Sequence, residues 1–129
     1  MTTNSNEIVI GDNNVVGAYI RVAWTATSDA RDKTEFKEIP KGLDFVSKLK
    51  PTSYKFRKDR DSEETHGRER YGFLAQEVLE LEGDNPVIID NTVEDKLAYT
   101  ESNLVPVLVK AIQELKAEVD KLKEECKCK

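Results

Sequence analysis

Val105, Leu108, Ile112, Leu115, Val119, Leu122 and Cys126 recur at gaps of 3, 4, 3, 4, 3 and 4 residues. This unbroken repeat constrains the chain more than any other feature. A spacing averaging three and a half residues is the period of a coiled coil. A helix that only covered a globular core would show a broader stripe. Position a holds Val105, Ile112, Val119 and Cys126, and position d holds Leu108, Leu115 and Leu122. Glu118 and Glu125 fall at g, Lys116 and Lys123 at e. In a parallel assembly Glu118 of one chain meets Lys123 of the next. The pattern predicts a helix from about Thr100 that associates with copies of itself. Pro106 is tolerable if that helix begins at or just after Thr100, capped by Thr100 or Ser102. Otherwise it kinks the first turns.

The 129 residues suffice for one ordinary domain. With 38% hydrophobic and 35% charged residues, part of the apolar surface is expected to be buried against another chain. The formal net charge of -5 argues against a free-standing nucleic-acid binder. No apolar run approaches the ~20 residues of a membrane span, and no signal peptide is read at the N-terminus. Cys126 and Cys128 are one pair at a chain end, not a disulfide framework. The single histidine, His66, stands in a charged run, so a zinc site lacks its ligands and neither metal nor cofactor is expected.

Four zones follow from pattern. In residues 1–27, Ile8-Val9-Ile10, the turn-forming Gly11-Asp12-Asn13-Asn14 and the alternating Ala18, Ile20, Val22 and Trp24 read as strands and a hairpin. In residues 28–58, a polar opening leads to a short helical pattern with Ile39, Leu43, Phe45, Val46 and Leu49, ended by Pro51. Gly42 looks like a weak point in that helix. Tyr54 and Phe56 then alternate with charged residues as a strand. Residues 59–70 have no apolar side chain and read as a solvated loop. Tyr71–Leu79 reads as a strand running into a helix, with Phe73, Leu74 and Val78 in the core and Tyr54 and Tyr99 half-buried. Val87–Ile89 and Lys96–Tyr99 complete the strands.

The order of these pieces is informative. Ser28-Asp29-Ala30-Arg31-Asp32-Lys33 is followed by Pro51-x-x-Tyr54-x-Phe56. Tyr71-Gly72-Phe73-Leu74-Ala75-Gln76-Glu77-Val78 comes next, then Tyr99-Thr100, Leu104–Leu108 and the coiled coil. Over residues 24–123 this resembles the C-terminal intramolecular chaperone domain, or S74 peptidase domain, of bacteriophage tail spikes, tail fibres and neck appendages. The resemblance implies a homotrimer that brings three fibre chains into register and then cuts itself off. By residue match it implies a scissile bond at Thr27–Ser28, with Ser28 as nucleophile and Lys33 as base.

The chemistry of such a site is restrictive. A serine hydroxyl needs a base, and with only His66, distant in sequence, a Ser-His-Asp triad is disfavoured. A lysine base must be neutral, which takes burial or nearby positive charge. Arg31 supplies such charge unless it pairs with Asp29. Ser28 follows the scissile bond, so an N-to-O acyl shift leaves an ester for water to cleave. From local spacing alone, Ser28-Asp29 reads as a turn or helix cap; the surrounding family motifs favour the cleavage reading. Gln76 and Glu77 fit capping, backbone hydrogen bonding or a place near the cut.

The expected fold is α+β. A β-rich fibre end (1–27) precedes a chaperone domain (28–129), comprising a small mixed head (28–99) and a helix (100–129) that forms a parallel trimeric coiled coil. Its seam is Val105, Leu108, Ile112, Leu115, Val119 and Leu122. The expected partners are two further copies and the upstream shaft of the same polypeptide, with neither nucleic acid nor membrane. The expected location is the virion, the chaperone being released in the host cytoplasm during assembly. The alternatives are a permanent trimeric tip that does not cut, or the same module in a membrane-linked transcription factor.

Overall fold

The computed structural model describes residues 6–127. Its elements are a 3-10 turn (Ala30–Asp32), α1 (Leu43–Ser47), β1 (Thr52–Arg57), β2 (Thr65–Gly72), α2 (Ala75–Glu82), β3 (Ile89–Asp90), β4 (Ala98–Tyr99) and α3 (Glu101–Lys127). The chain divides into two compact units, residues 1–29 with 53–72, and residues 30–52 with 73–129.

In the first unit β1 and β2 pair as a hairpin. The Lys58 N–H donates to the Glu64 carbonyl (2.9 Å), and the turn is tightened by Asp61 N–H to Asp59 Oδ1 (3.0 Å). Tyr54 and Phe56 share one face at the two-residue period of a strand and meet edge to face, centroids 5.3 Å apart. The Arg70 guanidinium lies 5.8 Å from the Phe56 ring centroid. Arg70 also donates to the Val16 carbonyl (3.1 Å), and His66 Nε2 is 3.4 Å from the Asn14 carbonyl.

Two expectations fail here. Residues 65–70 are strand, not loop. A two-stranded hairpin exposes most of both faces, so pairing with β1 needs no apolar alternation to direct it. Gly67, at φ 83, adopts mid-strand a conformation only glycine takes without strain. Second, the strands read before residue 27 are not present in the single chain: among the described residues of 6–27 there is no strand. The turn is present, with Asn14 N–H on Asp12 Oδ1 (2.8 Å) and Val15 N–H on the Asp12 carbonyl (3.1 Å). Its arms are not paired, and Ile8, Tyr19 and Trp24 are 90%, 92% and 79% exposed. A lone hairpin is marginal in water, and one chain gives these side chains nothing to pack against.

In the second unit Phe45, Val78, Ile88, Ile89, Leu104 and Val107 form the core, flanked by Ile39, Val46, Leu49, Phe73, Leu79 and Tyr99. Tyr99 is half-buried as expected, its ring 5.8 Å from that of Phe73. Leu74 departs from the expected core and is 46% exposed. It precedes the first turn of α2, whose inward face begins at Ala75 and Val78. β3 pairs antiparallel with β4, Ile89 opposite Tyr99. The Thr100 N–H donates to the Ile88 carbonyl (2.8 Å) just before α3 begins.

α3 runs 27 residues, about 40 Å at the helical rise. Pro106 lies inside it, in the second turn. There it leaves the Ser102 carbonyl without its usual intrahelical donor. Leu104, Val107 and Ala111 face inward at 5%, 3% and 4% exposure. The heptad positions lie on a different face. Val105, Ile112 and Leu122 are 51%, 66% and 60% exposed, and Leu108, Leu115 and Val119 are 37%, 49% and 40% exposed. Cys126 is an exposed free thiol, and Cys128 lies outside the described residues.

Candidate functional site

The Ser28–Lys33 motif bends through the 3-10 turn, closed by the Lys33 N–H on the Ala30 carbonyl at 3.1 Å. Three-residue turns of this kind are common connectors. Thr27, Ser28, Asp29, Arg31 and Lys33 are all exposed. None of Ser28, Asp29, Arg31 and Lys33 is without an interaction partner. Ser28 and Asp29 belong to the first unit, Arg31 and Lys33 to the second.

Gln76 and Glu77 sit in the first turn of α2, Gln76 exposed and Glu77 half-buried. The Glu77 N–H donates to the Leu74 carbonyl at 3.1 Å. Glu77 lines a depression of about 240 Å³ together with Lys48, Lys50, Phe73, Val78 and Leu81.

A residue the sequence reading passed over organises the second unit. Glu82 ends α2, and its side chain is fully buried. Its carboxylate accepts the N–H groups of Val87 (2.9 Å), Ile88 (3.1 and 3.0 Å) and Ile89 (2.8 Å). The Lys41 ammonium stands 3.6 Å away. Burial raises its pKa, but the bonds from Ile88, Val87 and Ile89 and the charge of Lys41 outweigh burial and leave it below the usual carboxylate range. Glu82 and Lys41 border a cavity of about 610 Å³, also lined by Lys37, Ile39, Asn103 and Val107. Only the following Gly83, at φ 77, hinted at a helix end here.

The same unit holds a second long-range clamp. α1 is five residues long, and its first residue is preceded by Gly42, which makes no side-chain cap. Its Leu43 N–H is instead taken by Glu114 Oε1 of α3 at 3.0 Å, 71 residues away. One turn earlier on α3, the Lys110 ammonium donates to the Ile39 carbonyl. Gly42 is where the two helices touch: a Cβ there would come within 1.7 Å of Glu114 Oε1. The glycine read as a weak point is therefore a close-approach position.

Among the described residues no helix is long and apolar enough to cross a membrane, and no cluster of His, Cys, Asp or Glu has the makings of a metal site. Residues 28–87 match the family model of Peptidase S74, described as chaperone of endosialidase. Over these residues the chain is similar to the S74 chaperone family. The match begins at Ser28 and includes the 3-10 turn, the hairpin, α2 and Glu82. That family is one of chaperones with, at the level of the family, serine-autoprotease-type activity. No curated protein and no solved structure matches the chain.

Proposed function

We propose that this chain is a self-cleaving intramolecular chaperone that trimerises, registers a phage spike, fibre or neck-appendage shaft, and is released by a cut between Thr27 and Ser28. The observation carrying this reading is the position of the family match, whose first residue is Ser28. The exposed seam of α3 supports assembly, since six large side chains at strict heptad spacing are 37–66% exposed in a single chain. The unpaired apolar residues of 6–27 support an upstream shaft, because strands from neighbouring chains would cover them. The place of action is then the virion tail or neck, with the domain shed in the host cytoplasm.

In this reading Ser28 Oγ attacks the Thr27 carbonyl carbon and the Thr27–Ser28 amide breaks, leaving an ester on Ser28 and a free Ser28 amine. Water then hydrolyses the ester, giving a carboxylate at Thr27. Lys33 takes the hydroxyl proton and passes it to the departing Ser28 nitrogen. The lysine is exposed in one chain, and burial on assembly would favour its neutral form, which would tie cutting to correct assembly. Nucleophile and scissile bond are neighbours in one chain, so the cut is a single turnover, first order and independent of concentration once trimers exist.

Mass spectrometry of the expressed chain tests this directly. The expected result is two fragments meeting at Thr27/Ser28, with Ser28→Ala and Lys33→Ala each leaving one intact mass in a folded assembly. A wild-type chain that stays whole while trimeric is a permanent structural tip. A Lys33→Ala chain cutting at the normal rate removes the lysine from the mechanism.

A further inference from the structure

We propose that Lys110 and Glu114 of α3 are positioning residues that hold the segment following Lys33 in place, so that ordering of α3 by assembly is transmitted to the cleavage motif. The cleavage step of this inference rests on the function proposed above; the positioning step does not.

The two side chains are one helical turn apart and grip both ends of one short stretch. Lys110 holds the Ile39 carbonyl, and Glu114 holds the Leu43 N–H at 3.0 Å. Between these points Gly42 is buried and leaves no room for a side chain. The gripped stretch has little stability of its own. A five-residue helix is far below the length that persists alone in water, and its own N-cap contributes no side-chain bond. Residues 33–38 upstream contain no regular element, and Glu35 sits at φ 57. Residues 39–43 are therefore ordered from α3 as much as from their own sequence, and residues 33–38 lead from them back to the motif.

α3 itself is half supported. Its first turns are anchored by Leu104, Val107 and Ala111 in the core. Beyond Ala111 every described residue of the helix is exposed. Glu114 lies in this unsupported part and Lys110 at its border. Ile112 and Leu115, 66% and 49% exposed, occupy the same two turns on the seam. Burying the seam against other copies stabilises the helical turns that present Lys110 and Glu114 to α1. The direction of coupling follows: assembly orders α3 through residue 114, α3 orders residues 39–43, and the stretch leading back to Lys33 loses its freedom.

The test uses the full chain with Ser28→Ala, so that no cleavage intervenes, and reads amide hydrogen exchange over residues 34–46. Lys110→Met combined with Glu114→Ala should raise exchange there about tenfold or more, with oligomeric mass and helix content unchanged. The conservative pair Lys110→Arg and Glu114→Gln keeps a donor and an acceptor and should restore most of the protection. Exchange as slow as in the parent overturns the proposal. With Ser28 present, the Met/Ala pair should slow the first-order cut about tenfold in intact assemblies, and the Arg/Gln pair should recover it. An unchanged rate alongside faster exchange removes the link to cleavage. A parent chain that never cuts defeats the proposed function, while the exchange experiment still decides whether α3 holds this segment.

Discussion

The Glu82 carboxylate receives the Ile88 N–H on both oxygens, at 3.1 and 3.0 Å. The adjacent amides of Val87 and Ile89 take one oxygen each, so three successive backbone donors converge on one side chain. This joins the end of α2 to the segment that leads into β3 and places Ile88 and Ile89, the most deeply buried large residues, in the core.

Glu82→Ala should therefore be among the most damaging single changes outside the apolar core. It strands three donors, and each unmatched buried donor costs about 1–3 kcal/mol. The Val87 donor belongs to an exposed residue, so we expect a loss of about 3 kcal/mol in denaturant unfolding. Glu82→Gln keeps one carbonyl acceptor and should lose less. A Glu82→Ala chain within about 1 kcal/mol of the parent would show that the loop at 87–89 is held by burial alone.

The same carboxylate gives the fold an acid limit. Its pKa is lower folded than its ordinary value of 4.5, so the unfolded chain takes up its proton first as pH falls. The stabilisation from Glu82 is complete above that ordinary value and is lost as pH drops below it through the lower folded value. Unfolding monitored against pH should show stability declining below about pH 4.5, with that part of the slope missing in Glu82→Gln. Asp90, held low by the Thr92 side chain and backbone, titrates in the same direction and remains in the variant as a background.

Gly42 provides a separate check on the helix contact. Gly42→Ala places a methyl group on the Glu114 carboxylate, which must swing away and give up the Leu43 N–H. The loss should be about 1 kcal/mol, the worth of one hydrogen bond with its cap. In a Glu114→Ala background the bond is already absent and the obstacle gone, so the same substitution should cost little. Thermal or denaturant unfolding of the four chains of this cycle would show the coupling. Equal effects of Gly42→Ala in both backgrounds would mean the clash lies elsewhere.

What the residues disclosed, and what they concealed, divides by range in sequence. α3 and the exposed face that carries the heptad residues were legible because heptad spacing is a local property that survives whatever the head does. The 3-10 turn, the strand at Tyr54 and Phe56, and α2 were legible for the same reason. β2 over residues 65–70 was not, since its partner strand rather than its own polarity determines it. Neither clamp was legible: Glu82 and Glu114 look like solvated carboxylates until the backbone amides they bind are brought to them. The N-terminal strands were read from alternation, β-branched and aromatic residues and a Gly/Asn turn, and these specify a strand only where a neighbour exists to pair with it. For Ser28 and Lys33, the local residues specify a turn, and the cleavage role depends on the family pattern around them.

The final prediction concerns the number of chains. Val and Ile at a with Leu at d favour two strands by side-chain geometry, whereas the proposed function calls for three. The seam residues contribute about 1.5–3 kcal/mol each if fully buried, an upper bound because the unfolded chain is already partly compact. Either assembly buries most of that surface, and the preference between them is small beside it. The rest of the chain then decides. Ile8, Tyr19 and Trp24 are exposed in the single chain, as is Phe36 at 73%. In the proposed trimer, three fibre ends around one axis would cover them, whereas an isolated helix carries no such demand. A peptide of residues 102–129 should accordingly form dimers or a mixture, and the whole chain should be trimeric by light scattering at micromolar concentration. Ile112→Asp places a charge in the seam and should leave mostly monomers that do not cut. A whole chain that is dimeric at that concentration would overturn the trimeric chaperone reading while leaving the heptad seam intact.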